Sequence, residues 1–358
     1  MSCVQLTFWS VEGIDLARGN HPNALSPASE CAPSNWRCSA RSSSPRHIGT
    51  ALAATLALLG CFSRTFDAFS HFAPIWLAIA MMSAAAALVV RPHTRRQVLV
   101  LATFGVVGFT ALMAPELVSA LIAPHSAPGR EVIKIIQFNA WGGENRDPAG
   151  SARWILAQNP DFILMEESDN LTPALTAVLQ AQYPYKITCA TPSRCPNMIL
   201  SRRPLLQGEG YWRPGNPLPF AWGRYPGVAG PIDIVVAHTI WPLPADDQAA
   251  HFAGLVQVTR PLPHGSLIVG GDFNSTPWSF ALRRLDRALG LVRRTRALPS
   301  WPAGRFSRLG IVAPFPVLPI DQIYAGPDWR TVHVERGPVL GSDHYPIMVV
   351  LSRNAKTQ

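Results

Sequence analysis

Gly270-Gly271-Asp272-Phe273-Asn274 and Gly341-Ser342-Asp343-His344 set two acids, an amide and an imidazole beside apolar runs. The first string follows Ser266-Leu267-Ile268-Val269, and the second precedes Tyr345 to Leu351. Such runs read as strands, so the polar groups fall at strand ends, where segments distant in sequence can converge on one pocket. Hard oxygen donors there suit a divalent cation that keeps several of its waters, and an imidazole can take a proton from water near neutral pH. Together they suit hydrolysis of a phosphate ester. Taken alone, either string is weak: Gly-Gly-Asp-Phe-Asn is more often a turn with an Asx cap, and a lone histidine such as His238 is more often structural.

The elements that must position these groups are legible around them. Val132–Phe138 predicts a strand ending at Asn139, and Ser151–Gln158 a helix stopped by Asn159-Pro160. Phe162–Met165 predicts a short buried strand running into Glu166 and Glu167, followed by a helix over Leu171–Leu179. Further strands are expected at Asn197–Leu200, Ile232–Ala237 (ending at His238), Leu267–Val269, Ile320–Ala325 and Ile347–Leu351. Helices are expected at Asp246–Val258 and Ser279–Leu289. Repeated strand, polar residue and helix predict a layered α/β domain.

Six strings occur in one order that is similar to the endonuclease/exonuclease/phosphatase superfamily, over about Val132–Leu351. They are Ile136-Gln137-Phe138-Asn139, Pro160–Glu167, Val236-Ala237-His238, Asp272-Phe273-Asn274, Pro319-Ile320-Asp321 and Ser342-Asp343-His344. The resemblance implies a four-layer α/β sandwich, two face-to-face β-sheets flanked by helices, with one or two Mg²⁺ at the sheet edge and Mn²⁺ as the substitute. It implies metal-site roles for Asn139, Glu167 and Asp343. His238 and Asn274 would contact phosphate, Asp272 would orient the attacking water or the metal, Asp321 would orient the catalytic histidine, and His344 would be the general base. Where the family usually has Gln, this chain has Glu166, which adds a negative charge near the site.

The amino-terminal third has a different composition. Apolar runs cover 48–62, 72–90 and 98–123, broken by short charged stretches. A helix crossing a bilayer needs roughly 20 apolar residues, so the second and third runs suffice and the first is short. These are about three expected transmembrane helices within 47–123, after a leader at 1–46 read as disordered and before a linker at 124–130. The domain from 131 to 358 carries the chemistry. Arg37, Arg41 and Arg46 precede the first run, and Arg91, Arg95 and Arg96 follow the second, so positive charge places those ends in the cytoplasm and the catalytic domain outside it. Cys189 and Cys195 flank a Pro-containing loop that suits a disulfide in an oxidising compartment.

Of the net charge of +9, Glu131–Gln358 contributes +5, with 22 Lys and Arg against 17 Asp and Glu. That excess fits an anionic substrate or a membrane surface and is too weak by itself to argue nucleic acid. Arg283, Arg284, Arg287, Arg293, Arg294 and Arg296 form a basic cluster read as a solvated helix face, or as a contact to lipid headgroups or a phosphorylated substrate. Trp141, Trp241 and Trp278 are candidates for rim or core, whereas His251, Asp246 and Asp247 read as helix surface. Three amino-terminal spans before such a domain resemble the teicoplanin-resistance type of membrane protein, which implies undecaprenyl pyrophosphate or a related envelope lipid. The expected partners are the lipid bilayer and an anionic, lipid-linked phosphorylated substrate. A tethered nuclease is the alternative, and a degenerate binding module is disfavoured because every catalytic residue type is retained. No protein partner is indicated.

Overall fold

The computed structural model describes residues 44–89, 92–168, 173–189, 197–211, 218–306 and 311–354. The expected leader falls almost wholly outside them, as does Cys195; Cys189 is disulfide-bonded.

Four helices come first: α1 (Ser44–Leu59), α2 (Arg64–His71), α3 (Ala73–Ala86) and α4 (Pro92–Leu121). Only Thr94–Leu121 of α4 is by itself long and apolar enough to cross a membrane. The apolar part of α1 is shorter, and α2 joins the helix that follows it at a 65° bend. The expected second span therefore starts after a polar helix that stands at an angle to it. The third starts earlier than expected, because Pro92 opens α4 and brings Arg95 and Arg96 into its first turns. Residues 123–129 form neither helix nor strand.

The chain then alternates strand and helix. Its elements are β1 (Glu131–Asn139), α5 (Pro148–Gln158), β2 (Phe162–Glu166), α6 (Pro173–Gln182), β3 (Tyr185–Thr188), β4 (Met198–Ser201), β5 (Gln207–Tyr211), β6 (Phe220–Tyr225) and β7 (Ile232–Ala237). Next come α7 (Ala245–Thr259), β8 (Ile268–Asp272), α8 (Phe280–Leu289), β9 (Val292–Arg293), β10 (Asp321–Ala325), β11 (Arg330–Arg336) and β12 (Ile347–Arg353). Two six-stranded mixed sheets form, ordered β11-β12-β1-β2-β4-β3 and β5-β6-β7-β8-β10-β9. The central pairs β1–β2 and β7–β8 are parallel, and every other ladder is antiparallel.

Period-two alternation sorts the side chains into layers. Ile133, Ile135, Phe162 and Leu164 of the first sheet face Ile232, Ile234, Ile268 and Ile323 of the second in one core. The opposite parity, Ile136, Phe138, Ile163 and Met165, packs outward on Ala152, Ile155 and Leu179 of α5 and α6. Val235, Val269 and Tyr324 pack outward on Phe252, Leu255, Leu282 and Leu285 of α7 and α8. The result is an α/β sandwich with helices outside both sheets.

Part of the basic cluster after β8, namely Arg283, Arg284, Arg293 and Arg296, forms the seam on which α2 and α4 dock, whereas Arg287 is exposed as a solvated helix face would be and Arg294 donates to carbonyls of the sandwich itself. Glu116, inside α4, receives Arg293 at 2.7 and 2.8 Å and Arg296 at 3.3 Å. Arg284 lies 3.8 Å from Asp67, and Arg283 donates to the Leu112 carbonyl. Trp278, one of the candidate rim aromatics, is buried among Ala53, Ala57, Phe109 and Leu112. Charges that are costly in an apolar helix are thus satisfied by the sandwich.

Candidate active site

Strand parity carries the site. Beyond Ile133 and Ile135, the inward row of β1 continues as Gln137 and Asn139, and that of β2 as Glu166. Asp272 ends the inward row of β8. Asp321 opens β10 directly opposite it in the antiparallel register. Ile347 pairs with Gln137, so Asp343 and His344, just before β12, reach the same edge. Polar residues that terminate apolar rows therefore meet over one end of the core.

The glycines of the first string serve this approach. A Cβ on Gly271, whose φ is +151°, would lie 1.9 Å from the Ala237 carbonyl oxygen of the neighbouring strand. One on Gly270 would lie 2.5 Å from Leu164 of the opposite sheet.

A hydrogen-bonded relay crosses the edge. Gln137 Nε2 donates to Glu166 Oε2 and to Asp321 Oδ1, both at 2.8 Å. His344 Nδ1 donates to Asp321 Oδ2 at 2.8 Å, while its Nε2 stands 3.6 Å from Asp272 Oδ2. Ser342 Oγ accepts from His344 N at 3.0 Å and donates to the Asn139 carbonyl at 2.7 Å, which ties the last string to β1. Burial opposes charge on the His344 imidazole, but Asp321 and Asp272 outweigh it and hold its pKa well above the ordinary histidine value.

Asp272 is held by its neighbours. Its Oδ1 accepts from Asn274 N at 2.8 Å and its Oδ2 from Asn139 Nδ2 at 3.0 Å. Burial pushes its carboxyl up to about 6, with His344 working against that rise and Asp321 adding to it. Asn274, in the left-handed region at φ +45°, turns its amide onto the Thr239 carbonyl at 2.9 Å and onto His238 Nε2 at 3.1 Å.

The two adjacent glutamates separate. Glu166 is fully buried and aims between the sheets; burial first, then Asp321, raises its carboxyl well above the usual range. Glu167 follows the strand end at φ +48°, which swings it back to the cavity, where its Oε1 accepts from Asn139 Nδ2 at 3.0 Å. Asn139 presents its nitrogen to both acids, since its oxygen is taken by Trp141 N at 3.0 Å. It links Glu167 to Asp272 instead of offering an oxygen.

Glu167, His238, Asp272, Asn274, Asp343 and His344 line one cavity of about 460 Å³. Asn139 and Asp321 stand behind it through the bonds above. All eight residues expected from the sequence thus meet at one edge. Asp343 accepts from Trp301 Nε1 at 3.2 Å, whereas its Oδ1 is buried with no hydrogen-bond partner. Burial raises its carboxyl, with Glu167 contributing. An orphan carboxylate oxygen among three crowded acids fits a hard divalent cation. Among the described residues, ligand atoms of Asp272, Asp321 and His344 also lie within 4.8 Å of one another, although the Asp321–His344 hydrogen bond already engages two of them.

A profile of the Endonuclease/Exonuclease/phosphatase family matches residues 136–344, more than half of the sequence. The chain belongs to this family. Its members are in general phosphoric-ester hydrolases, nucleases and phosphatases among them. Similar solved structures include an endonuclease/exonuclease/phosphatase from Beutenbergia cavernae, 17% identical over 63% of this chain and 72% of that one, TM-score 0.50. The human Nocturnin catalytic domain with bound sulfate anion is 16% identical over 65% and 97%, TM-score 0.51. An endonuclease/exonuclease/phosphatase from Bacteroides vulgatus is 15% identical over 62% and 99%, TM-score 0.51. At these identities the likeness is one of fold. No curated protein matches the sequence.

Two cavity residues had no signal in the sequence. His251, expected on helix surface, lines the cavity from α7, and its Nδ1 accepts from Ile240 N at 3.3 Å. Burial, reinforced by His238, pushes its imidazole down to about 4, so it is neutral at physiological pH. Trp301 joins Trp141 and Trp241 at the cavity, its ring edge-on to Trp241 at 5.9 Å. Neither residue lies in a motif; only tertiary packing brings α7 and the 301 segment to the mouth.

Proposed function

We propose that this protein is a membrane-anchored, divalent-metal-dependent phosphoesterase that hydrolyses a lipid-linked phosphate ester or pyrophosphate outside the cytoplasm. The observation that carries the hydrolytic part is the Asp321–His344 pair opening onto a cavity of acidic oxygens. Asp321 accepts the Nδ1 proton of His344, which fixes the tautomer of the neutral imidazole and leaves its Nε2 to take a proton from water. The negative charge that otherwise keeps this imidazole protonated would be offset by a cation held by the neighbouring acids. Asn274 and His238, which bond to each other here, would exchange that bond for hydrogen bonds donated to phosphoryl oxygens as negative charge grows there. Glu167, Asp272 and Asp343 would hold the cation, oriented by Asn139. Mg²⁺, or Mn²⁺ in its place, would neutralise phosphoryl charge as a Lewis acid.

Two features support a lipid-linked substrate. The indoles of Trp141, Trp241 and Trp301 give the mouth an apolar rim beside a polar centre, which suits a phosphate carried on an apolar chain. The apolar helices join the sandwich through α2 and the latter part of α4, so an anchor would keep the cavity close to the bilayer surface.

Phosphate release from undecaprenyl pyrophosphate by the full-length protein in detergent with Mg²⁺ tests the reading, with His344→Ala as the blank. The expected result is release that is lost with chelator and falls by 10² or more in the variant, the scale of general-base catalysis. No release from folded protein would remove this substrate and turn the search to nucleic-acid and other phosphodiesters.

A further inference from the structure

The segment between Asn274 and α8 is where the active-site edge meets the amino-terminal helices. Thr276 N donates to His71 Nδ1 at 3.2 Å, and Trp278 Nε1 donates to the His71 carbonyl at 3.4 Å. Two residues on, the first backbone N–H groups of α8 are received by a side chain from another part of the chain. Phe280 N donates to Asp67 Oδ1 at 2.9 Å, and Ala281 N to Asp67 Oδ2 at 2.6 Å. The open N–H groups of a helix start need acceptors, and its positive dipole end favours a carboxylate. Ser279 supplies the local cap to Leu282 N at 3.1 Å, and Asp67 supplies the rest. Asp67 is 1% exposed and His71 3%, and Ser70 Oγ donates to Asp67 Oδ1 at 2.7 Å, which holds the acceptor in place.

The upstream end of the same segment is Asn274, bonded to Asp272, Thr239 and His238 as described. Residues 275–279 thus run between a strained phosphate-contacting asparagine and a helix start that α2 caps. Ser275, Thr276 and Ser279 are fully buried, so a displacement at one end has little slack to absorb it before the other.

We propose that Asp67 and His71 are positioning residues of the catalytic site: α2 clamps the loop that aims Asn274, so the helical segment completes the active site as well as anchoring it. This inference rests on the phosphoesterase reading above. It implies that Asn274 loses its aim when the clamp is broken, although the polar partners described for Asp67 and His71 lie outside the cavity lining. Misplacing a group that acts on the reacting phosphoryl should lower kcat and leave ground-state affinity largely intact.

The test uses full-length protein in detergent with Mg²⁺, comparing wild type, Asp67→Ala, Asp67→Asn, His71→Leu and His71→Asn, with His344→Ala as the blank. Phosphate release from undecaprenyl pyrophosphate gives kcat and KM, and amide hydrogen exchange of 274–281 is read without substrate. The expected result is a kcat about tenfold to a hundredfold lower in Asp67→Ala with KM within about twofold, since small misplacements of reacting groups cost that much. Asp67→Asn, which keeps one of the two acceptor oxygens, should recover part of the loss. Exchange over 275–281 should quicken in Asp67→Ala and less so in Asp67→Asn, with β8 and β10 unchanged. An unaltered kcat in folded Asp67→Ala overturns the proposal, as does a rise in KM alone. Should Asp67→Ala fail to fold, the pair His71→Leu and His71→Asn is judged by the same criteria, because Asn retains an acceptor near the Nδ1 position. If wild type turns over no phosphoester, the functional reading fails separately. Exchange then decides: protection of 275–281 that is indifferent to Asp67→Ala overturns the clamp, and loss rescued in part by Asn sustains it.

Discussion

Glu166 stands where the resemblance of the second string leads one to expect glutamine, and its surroundings say what a carboxyl there costs. The carboxyl lies between the sheets with one oxygen bonded to Gln137 and the other without a partner. Burial and Asp321 keep it protonated to higher pH than an unfolded glutamate. The sign follows directly. Above the ordinary carboxylate pKa the unfolded chain has released this proton and the folded chain still holds it, so the folded state loses ground as pH rises through the raised value. Glu166→Gln keeps an acceptor for Gln137 and removes the ionisation. It should stabilise the protein by about 1 kcal/mol at pH 8, a gain of roughly 2–4 °C in Tm, and the gain should shrink towards pH 4.5. Thermal unfolding of both proteins at the two pH values checks it. A variant less stable at pH 8 would mean that the charged form is accommodated. Glu167 beside it takes the opposite part, because its positive φ turns it out of the row that buries Glu166.

At the scale of elements, the sandwich is closed at the start of β1 by one buried acid. Glu131 receives Arg353 of β12 at 2.7 Å and Arg203 at 2.8 Å, and also the backbone N–H groups of Val228 and Ala229 at 2.9 and 3.1 Å. Burial works against its charge, but the two guanidinium groups and the two amides prevail and lower its pKa. The stability this contributes is present above the unfolded value and is lost as pH falls through the depressed one. Glu131→Gln would leave Arg353 buried without its counter-charge, so a loss of about 3 kcal/mol is expected, seen as a lower urea midpoint at pH 7 and little difference near pH 2. Which elements the sequence revealed follows from the same burial. Strands β1, β2, β7 and β8 are apolar on both faces, and their ends carried the site strings, so the site and the central ladders could be read together. The edge strands β3, β5, β9 and β11, and the inner strand β6, could not. Gln207-Gly-Glu-Gly-Tyr211 has glycine at two of its five positions, and Arg330–Arg336 has no fully buried residue and an irregular register at Thr331/His333. An edge strand takes its pairing from its neighbour, which no local pattern encodes. His251 and Trp301 were hidden for a related reason: a helix face shows that it is covered, not what covers it.

At the scale of the molecule, the sandwich and the helices meet through charges of opposite sign that each places in the other's path. Asp67 and Glu116 belong to the apolar third, and their partners are the α8 start, Arg293 and Arg296. This docking has a consequence for sidedness. From Arg96 to Glu116 the rise along α4 is about 30 Å at 1.5 Å per residue, comparable to the hydrocarbon thickness of a bilayer, and the last two turns of that stretch, from Phe109 to Glu116, lie against Trp278, Arg283 and Arg293 of the sandwich. If α4 spans a bilayer, as proposed, Arg95 and Arg96 would stand at the face away from the sandwich, and positive charge favours the cytoplasmic side for them. α2, which also touches the sandwich, precedes α3, so the chain would pass inward through α3 and outward through α4. The expected outcome is that alkaline phosphatase fused after Gln358, a reporter active only after export, is active in intact cells. Replacing Arg91, Arg95 and Arg96 together with Asn should reduce that activity, because it removes the charge bias without touching the docking seam. A reporter that works only in the cytoplasm when fused at the same position would put the cavity on the inner face. The substrate would then be a phosphoester available there, and the clamp of α2 on the catalytic loop would stand unaltered, since it depends on contacts within the chain and on neither side of the membrane.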